Sequence, residues 1–177
     1  MESKRIILRD WLPSDRDAFF EMNSDPTIME FMPKILSRPE SDQFFDEIVR
    51  RLSLNRFGFW AVECKNNNEF LGFTGLNSPS WKSHFTPCVE IGWRICRSAW
   101  GQGYGTEAAK VALNYGFNTL GLNEIVSFTV PANKKSIRVM EKIGMKRDHK
   151  GDFLHPELPE PHQLSHHILY RISKSMA

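Results

Sequence analysis

The sequence predicts an α+β (mixed α/β) fold: a mostly antiparallel central sheet of about six to seven strands flanked by about four helices. Three observations carry that expectation. Helical periodicity dominates residues 14–52. A meander of apolar, β-rich segments fills 57–95. Helix and strand patterns then alternate to the C-terminus. No repeat, low-complexity segment or linker interrupts the 177 residues, so 1–177 reads as one domain.

Arg5 to Arg9 reads as a short strand. Ser14, three residues ahead of Asp17 and followed by Ala18, Phe19, Phe20 and Met22, reads as the cap of a short helix. Asn23 to Pro33 is loop-like, with a turn at Asp25-Pro26. Ser37 and Glu40 have capping-box spacing and Pro39 lies in the first turn. Phe44, Phe45, Ile48, Val49 and Leu52 then recur on one helical face. Phe57–Lys65 and Phe70–Leu76 flank the turn Asn66-Asn67-Asn68-Glu69, as in a hairpin. Ser78–Thr86 is a polar loop with Trp81 and His84, and Cys88–Ile95 is the third strand of the meander.

A glycine-rich run follows and opens a helix from about Gly105 to Asn118, with Ala108, Val111, Ala112 and Tyr115 on one face. After Leu120-Gly121-Leu122-Asn123, residues Glu124–Val130 are β-rich. Asn133 can cap a helix over Lys134–Ile143 that Gly144 stops. Met145–Leu154 and Ser165–Ile172 read as a closing strand pair. The loop between them is proline-rich and holds His155, Pro156, Pro159, Pro161 and His162.

A hydrophobic share of 41% and a charged share of 25% are those of an ordinary globular protein. A formal net charge of +2 argues against nucleic-acid and anionic-membrane partners. No apolar run reaches the length of a membrane span, and Ile6-Ile7-Leu8 runs into Arg9-Asp10, so no signal peptide is visible. Cys64, Cys88 and Cys96 have no C-x-x-C spacing. They suit a cytoplasmic protein and argue against a metal site or disulfide framework.

The run Trp100-Gly101-Gln102-Gly103-Tyr104-Gly105-Thr106-Glu107-Ala108 is an anion cradle in outline. Its glycines expose backbone N–H groups, and the helix behind them adds the positive end of its dipole. A nucleotide P-loop requires Gly-Lys-Ser/Thr at its end, and this run ends Tyr104-Gly105-Thr106. Gly103 to Ala108 fits the letters of a dinucleotide fingerprint, with Glu124 at a suitable distance. But Glu124 opens a strand rather than ending one, and too few parallel units follow.

In its ordered blocks the chain resembles the GNAT superfamily of N-acetyltransferases. The blocks are Val89-Glu90-Ile91-Gly92-Trp93-Arg94-Ile95, then Trp100 to Ala108, then Asn133-Lys134-Lys135-Ser136-Ile137 and Glu141 to Met145. Arg5 to Arg9, His155-Pro156 and Leu169-Tyr170-Arg171 are similar to the RimJ/RimL branch, the ribosomal-protein N-terminal acetyltransferases. The resemblance implies transfer of an acetyl group from acetyl-CoA to a primary amine, on a protein N-terminus or a small molecule, by direct attack through a ternary complex. The family's first motif Gln/Arg falls on Trp100, which removes an ion pair there but no backbone donor.

By that resemblance, Trp100, Gly101, Gln102, Gly103, Tyr104, Gly105 and Thr106 hold the pyrophosphate. Trp93 and Ile95 lie beside the pantetheine arm, and Asn133 contacts it, caps a helix, or does both. Lys134, Lys135, Arg138 and Lys142 read as a solvated basic face. Alternation places Glu90, Gly92 and Arg94 on one sheet face, which makes Glu90 the candidate base; a Glu90–Arg94 ion pair is the competing reading. A tyrosine donates the thiolate proton in many relatives, and Met140 stands at that position. Ser136 is then the candidate acid, as in the RimJ/RimL branch, and thiolate can also leave unaided. Met140 equally suits a non-catalytic acyl-CoA-binding or sensing module.

The resemblance places the acceptor between the N-terminal helices and the loop before the last strand. Trp81, Phe85, His155 and His162 can line it. Glu40, Asp42, Asp46 and Glu47 can attract an amine or simply form a solvated face. The residues do not choose between monomer and homodimer.

Overall fold

The computed structural model describes residues 1–55, 57–159 and 161–176. In chain order the elements are β1 (Ile6–Arg9), α1 (Asp15–Ser24), α2 (Arg38–Leu54), β2 (Phe59–Cys64), β3 (Phe70–Asn77), β4 (Glu90–Ile95), α3 (Tyr104–Asn118), β5 (Glu124–Thr129), α4 (Lys134–Lys142), β6 (Lys146–Leu154) and β7 (His166–Ser173). Short 3-10 turns at Arg97–Ala99 and Lys174–Met176 complete them. The seven strands form one sheet in the order β1-β2-β3-β4-β5-β7-β6. Every pairing is antiparallel except β4 with β5. Among the described residues, no helix is long and apolar enough to cross a membrane.

Alternation along the strands separates two layers. Ile91, Ile95, Ile125, Ile168 and Ile172 face α3 and pack on Ala108, Ala112 and Met140. Phe73 and Ala61 face the other way, toward Trp11 and Phe19, Phe45 and Ile48 of α1 and α2. On that same side, under the loop before β4, Phe85, Val126, Phe153 and Leu169 form a second aromatic cluster. Of the hydrophobic face read in α2, Phe44, Phe45, Ile48 and Leu52 pack here while Val49 lies exposed one step off the buried stripe, and the helix starts as expected: Glu40 accepts from the Ser37 N–H at 2.8 Å.

α1 starts differently. The Ser14 side chain makes no capping bond. Asp15, only 4% exposed, accepts from the Leu12 N–H at 2.8 Å and takes a two-pronged ion pair from Arg9 at 2.7 and 2.9 Å. A buried carboxylate with a fixed cation is a stronger local anchor than an exposed serine hydroxyl.

The parallel β4–β5 pair shapes the site. Only Glu90 and Val126 are in register, so the strands part immediately after their first contact. Cys96 N–H donates to Leu71 O and Val126 N–H to Val89 O, both at 2.9 Å. Strand parity therefore turns the backbone groups of Glu90, Gly92 and Arg94 toward β3, and those of Ile91, Trp93 and Ile95 toward the gap.

Candidate active site

The gap is closed at one end and open at the other. Where the strands part, the Ser127 hydroxyl donates to Ile91 O at 3.0 Å, supplying the bond that β5 no longer makes. At the far end the Trp100 indole donates to Ile95 O at 2.8 Å. Between them lies Trp93, whose backbone polar groups face the gap by parity. An extended amide-bearing chain can bond there as an added strand does.

The glycine loop stands at the open end. Gly101 and Gly103 have φ of +76° and +85°, the left-handed region that side chains resist. A Cβ on Gly101 meets nothing within 4 Å, and one on Gly103 meets only the Arg5 Nη2 at 3.5 Å. These glycines therefore serve backbone shape and open space, not packing. Gly105 is different: its Cβ would come within 3.3 Å of Ile95, so it sets the close approach of α3 to β4. The first bond of α3 is Glu107 N–H to Gly103 O at 3.0 Å. The N–H groups of Tyr104, Gly105 and Thr106 therefore point out of the helix with no intrahelical acceptor.

Side chains in the loop brace it. Gln102 donates to Ser98 O at 2.8 Å, and the Tyr104 ring lies under the Arg5 guanidinium at 4.5 Å. Arg5 also donates to Gln102 O at 3.0 Å and pairs with Glu107 at 2.6 Å. Because a trans peptide points its C=O and N–H in opposite directions, that bond turns the Gly103 N–H away from Arg5. Trp100 has no charge to offer but carries Lys135 of α4 over its ring at 3.7 Å. Lys135 thus joins the loop across the gap, which a helical-face reading alone did not distinguish from its solvated neighbours.

Asn133 is buried and caps α4: its Oδ1 accepts from Ser136 N–H at 3.2 Å and its Nδ2 donates to Thr129 Oγ1 at 3.0 Å. Asn133→Ala should lower stability by about 1 kcal/mol through the lost cap, and more for the stranded Thr129 hydroxyl; a thermal-melt comparison reads it. Ser136 is half-buried in the first turn of α4. Met140 is 1% exposed and packed in the core, so it presents nothing to the gap.

Glu90, Gly92 and Arg94 share the opposite face, but the Glu90–Arg94 pair does not form. Glu90 accepts from Asn77 Nδ2 at 2.7 Å. Arg94 donates instead to Asn23 Oδ1 and to Met32 Sδ. Burial pushes the Glu90 carboxyl up to about 7; Asn77 opposes that rise and the negative charge of Glu157 adds to it. Asn77 is the partner that sequence reasoning missed. It lies directly opposite Glu90 in the β3–β4 register, and the long connection between those strands hid that register.

Trp81, Phe85 and His155 come together in the aromatic cluster beside Val126, with Phe128, Phe153 and His167. Trp81 and His155 are 5.1 Å apart and His155 and His167 5.0 Å. Burial lowers both histidines, His167 to about 4, so neither is a cation at neutral pH. His162 stays apart, its Nδ1 accepting from Leu164 N–H at 3.1 Å. The acids of α2 are taken up by Lys34, Arg16, Arg38, Arg50 and Arg51 and form no amine-attracting patch. A cavity of about 500 Å³ lies between the α1–α2, β5–α4 and β6–β7 connections, lined by Phe31, Val130, Ala132 and Leu164 among others. A second, of about 490 Å³, sits at the β1 edge beside Tyr115, towards the far end of α3 from the glycine loop.

Residues 5–146 match the family model of the acetyltransferase (GNAT) domain. The chain belongs to the GNAT acetyltransferase family and is an acyltransferase. Its sequence is 32% identical over 142 residues to the uncharacterized protein YkkB of Bacillus subtilis, covering 80% of this chain and 81% of that one. The uncharacterized N-acetyltransferase YnaD of the same organism is 29% identical over 146 residues, 82% of each chain. A solved GNAT-family acetyltransferase from Bacillus anthracis superposes with a TM-score of 0.82 at 26% identity, covering 99% of this chain and 98% of that one. GNAT enzymes take their acetyl group from acetyl-CoA, and the parted β4–β5 pair with its glycine loop has the shape and donor set for that ligand.

Proposed function

We propose that this chain is a cytoplasmic N-acetyltransferase that passes the acetyl group of acetyl-CoA directly to a primary amine within a ternary complex. The observation that carries the proposal is the gap between β4 and β5, with the amides of the glycine loop at one end and Glu90 at the other.

Gly101 to Thr106 receive the pyrophosphate on their N–H groups, aided by the α3 dipole. The backbone of Trp93 bonds the pantetheine arm, beside the Ile95 and Asn133 side chains. The gap-facing amides of β4 donate to the thioester oxygen as it gains charge. Glu90 takes the ammonium proton, directly or through one water, so that the free amine attacks the thioester carbon. As the C–S bond breaks, Ser136 is the hydroxyl available to the departing thiolate, which is itself a good leaving group. The likeness of Arg5 to Arg9 and His155-Pro156 to the ribosomal-protein branch keeps a protein N-terminus among the acceptors to be tried. The three thiols are unpaired, which fits a reducing compartment.

The test is turnover. Acetyl-CoA is mixed with a panel of amines (N-terminal peptides, polyamines, amino-sugars, amino acids), and N-acetyl product is read by mass spectrometry. The proposal expects product from at least one. Tight acetyl-CoA binding with no product from any amine would turn the reading toward a sensing module.

A further inference from the structure

Arg94 has no carboxylate within ion-pair distance among the described residues. The other partly buried arginines there (Arg5, Arg9, Arg16, Arg147 and Arg171) each hold one. Among the described residues, Arg94 hydrogen-bonds only to neutral groups. Its Nη1 meets Asn23 Oδ1, and its Nη2 lies 3.0 Å from Met32 Sδ. A thioether is a weak acceptor, so one prong of the fork has a poor partner. The Phe73 and Phe44 rings complete the surroundings, with centroids 5.4 and 5.8 Å from the guanidinium. Burial lowers the group only to about 10, so it stays a cation at neutral pH. A shielded cation without a counter-charge is costly unless an anion completes it.

The location says which anion. Arg94 lies on the face that holds Glu90, four residues or about 13 Å along the strand, with Gly92 and the Phe59 ring packed over it between them. The loop that brings Met32 to Arg94 also carries Glu30 and Phe31, which line the cavity of about 500 Å³. Asn23 is fully buried and its amide is fixed by Ser41 at 3.1 Å, so the fork is held in place from behind.

We propose that Arg94 binds a carboxylate of the acceptor, so that the substrate is an amine that also carries a carboxylate, set apart from the amine by several bonds. The proposal rests on the acetyl-transfer reading above. Glu90 receives the ammonium end and Arg94 the carboxylate end, with a carboxylate oxygen replacing the Met32 sulfur on Nη2. A guanidinium fork suits this task, since it grips a carboxylate by two parallel bonds. The competing account makes Arg94 a packing residue that ties β4 to α1. That account predicts no discrimination between acceptors.

The test compares amino acids of increasing amine-to-carboxylate distance, each against the same amine without its carboxylate. The readout is the ratio of kcat/KM within each pair, which cancels any general loss of activity. In the wild type at least one ratio should be about 30-fold or more, the scale of a charge-assisted pair. In Arg94→Gln that ratio should fall to about threefold or less, and Arg94→Lys should recover part of it. Wild-type ratios near one, or an unchanged ratio in R94Q, overturn the proposal. Product from carboxylate-free amines alone overturns it while leaving acetyl transfer standing. No product from any amine overturns both.

Discussion

Replacing Glu90 with glutamine should lower kcat/KM for amine acetylation by about 10²-fold or more at pH 8, the usual scale for losing a general base. The change keeps the shape of the side chain and can still meet Asn77, so the protein should fold and hold acetyl-CoA with near wild-type affinity. The pH profile is the sharper signature. Burial raises the Glu90 carboxyl to about 7, so below that pH the base is already protonated and the wild type is itself impaired. Wild-type kcat/KM should therefore climb through an inflection near 7, and E90Q should lack it. The deficit should be largest between the pKa of Glu90 and that of the acceptor ammonium, and should shrink on either side. Above the ammonium pKa the amine arrives neutral and needs no base. An E90Q profile that keeps the inflection near 7 would remove Glu90 from this role.

Gly103→Val should weaken acetyl-CoA binding by about 100-fold, roughly 2.7 kcal/mol. Gly103 sits at φ +85° immediately before α3. A side chain there strains the backbone by about 1–2 kcal/mol, and a branched one presses on the Arg5 guanidinium that braces the loop carrying the amides. The built Cβ meets only the end of Arg5, so the fold has room and the loss falls on the ligand. Gly103→Ala carries the same strain with little bulk, and calorimetry should place it between wild type and valine. A folded G103V with unchanged affinity would detach the loop from the pyrophosphate.

Much of this was legible because local chemistry and tertiary need agree. The capping pair Ser37 and Glu40, the alternation of β4 and the glycines before α3 each give the same answer at both levels. What stayed hidden depends on contacts distant in sequence. Asn77 meets Glu90 only through the β3–β4 register. Arg5 reaches the glycine loop across about a hundred residues of chain. Lys135 looks like its solvated neighbours until Trp100 lies beneath it. The Glu90–Arg94 pair failed for a related reason: each side chain found a neutral partner on another element, Asn77 or Asn23. Alternation assigns a face but not the neighbours packed over it.

The central claim is that acetyl passes straight from acetyl-CoA to the amine. The most direct measurement takes the intact protein mass after incubation with acetyl-CoA, alongside initial rates over a grid of both substrates. The account predicts an unmodified protein, N-acetyl product only when amine is present, and intersecting double-reciprocal lines. A protein heavier by one acetyl group, at Cys88 or Cys96 for example, together with parallel lines, would contradict it.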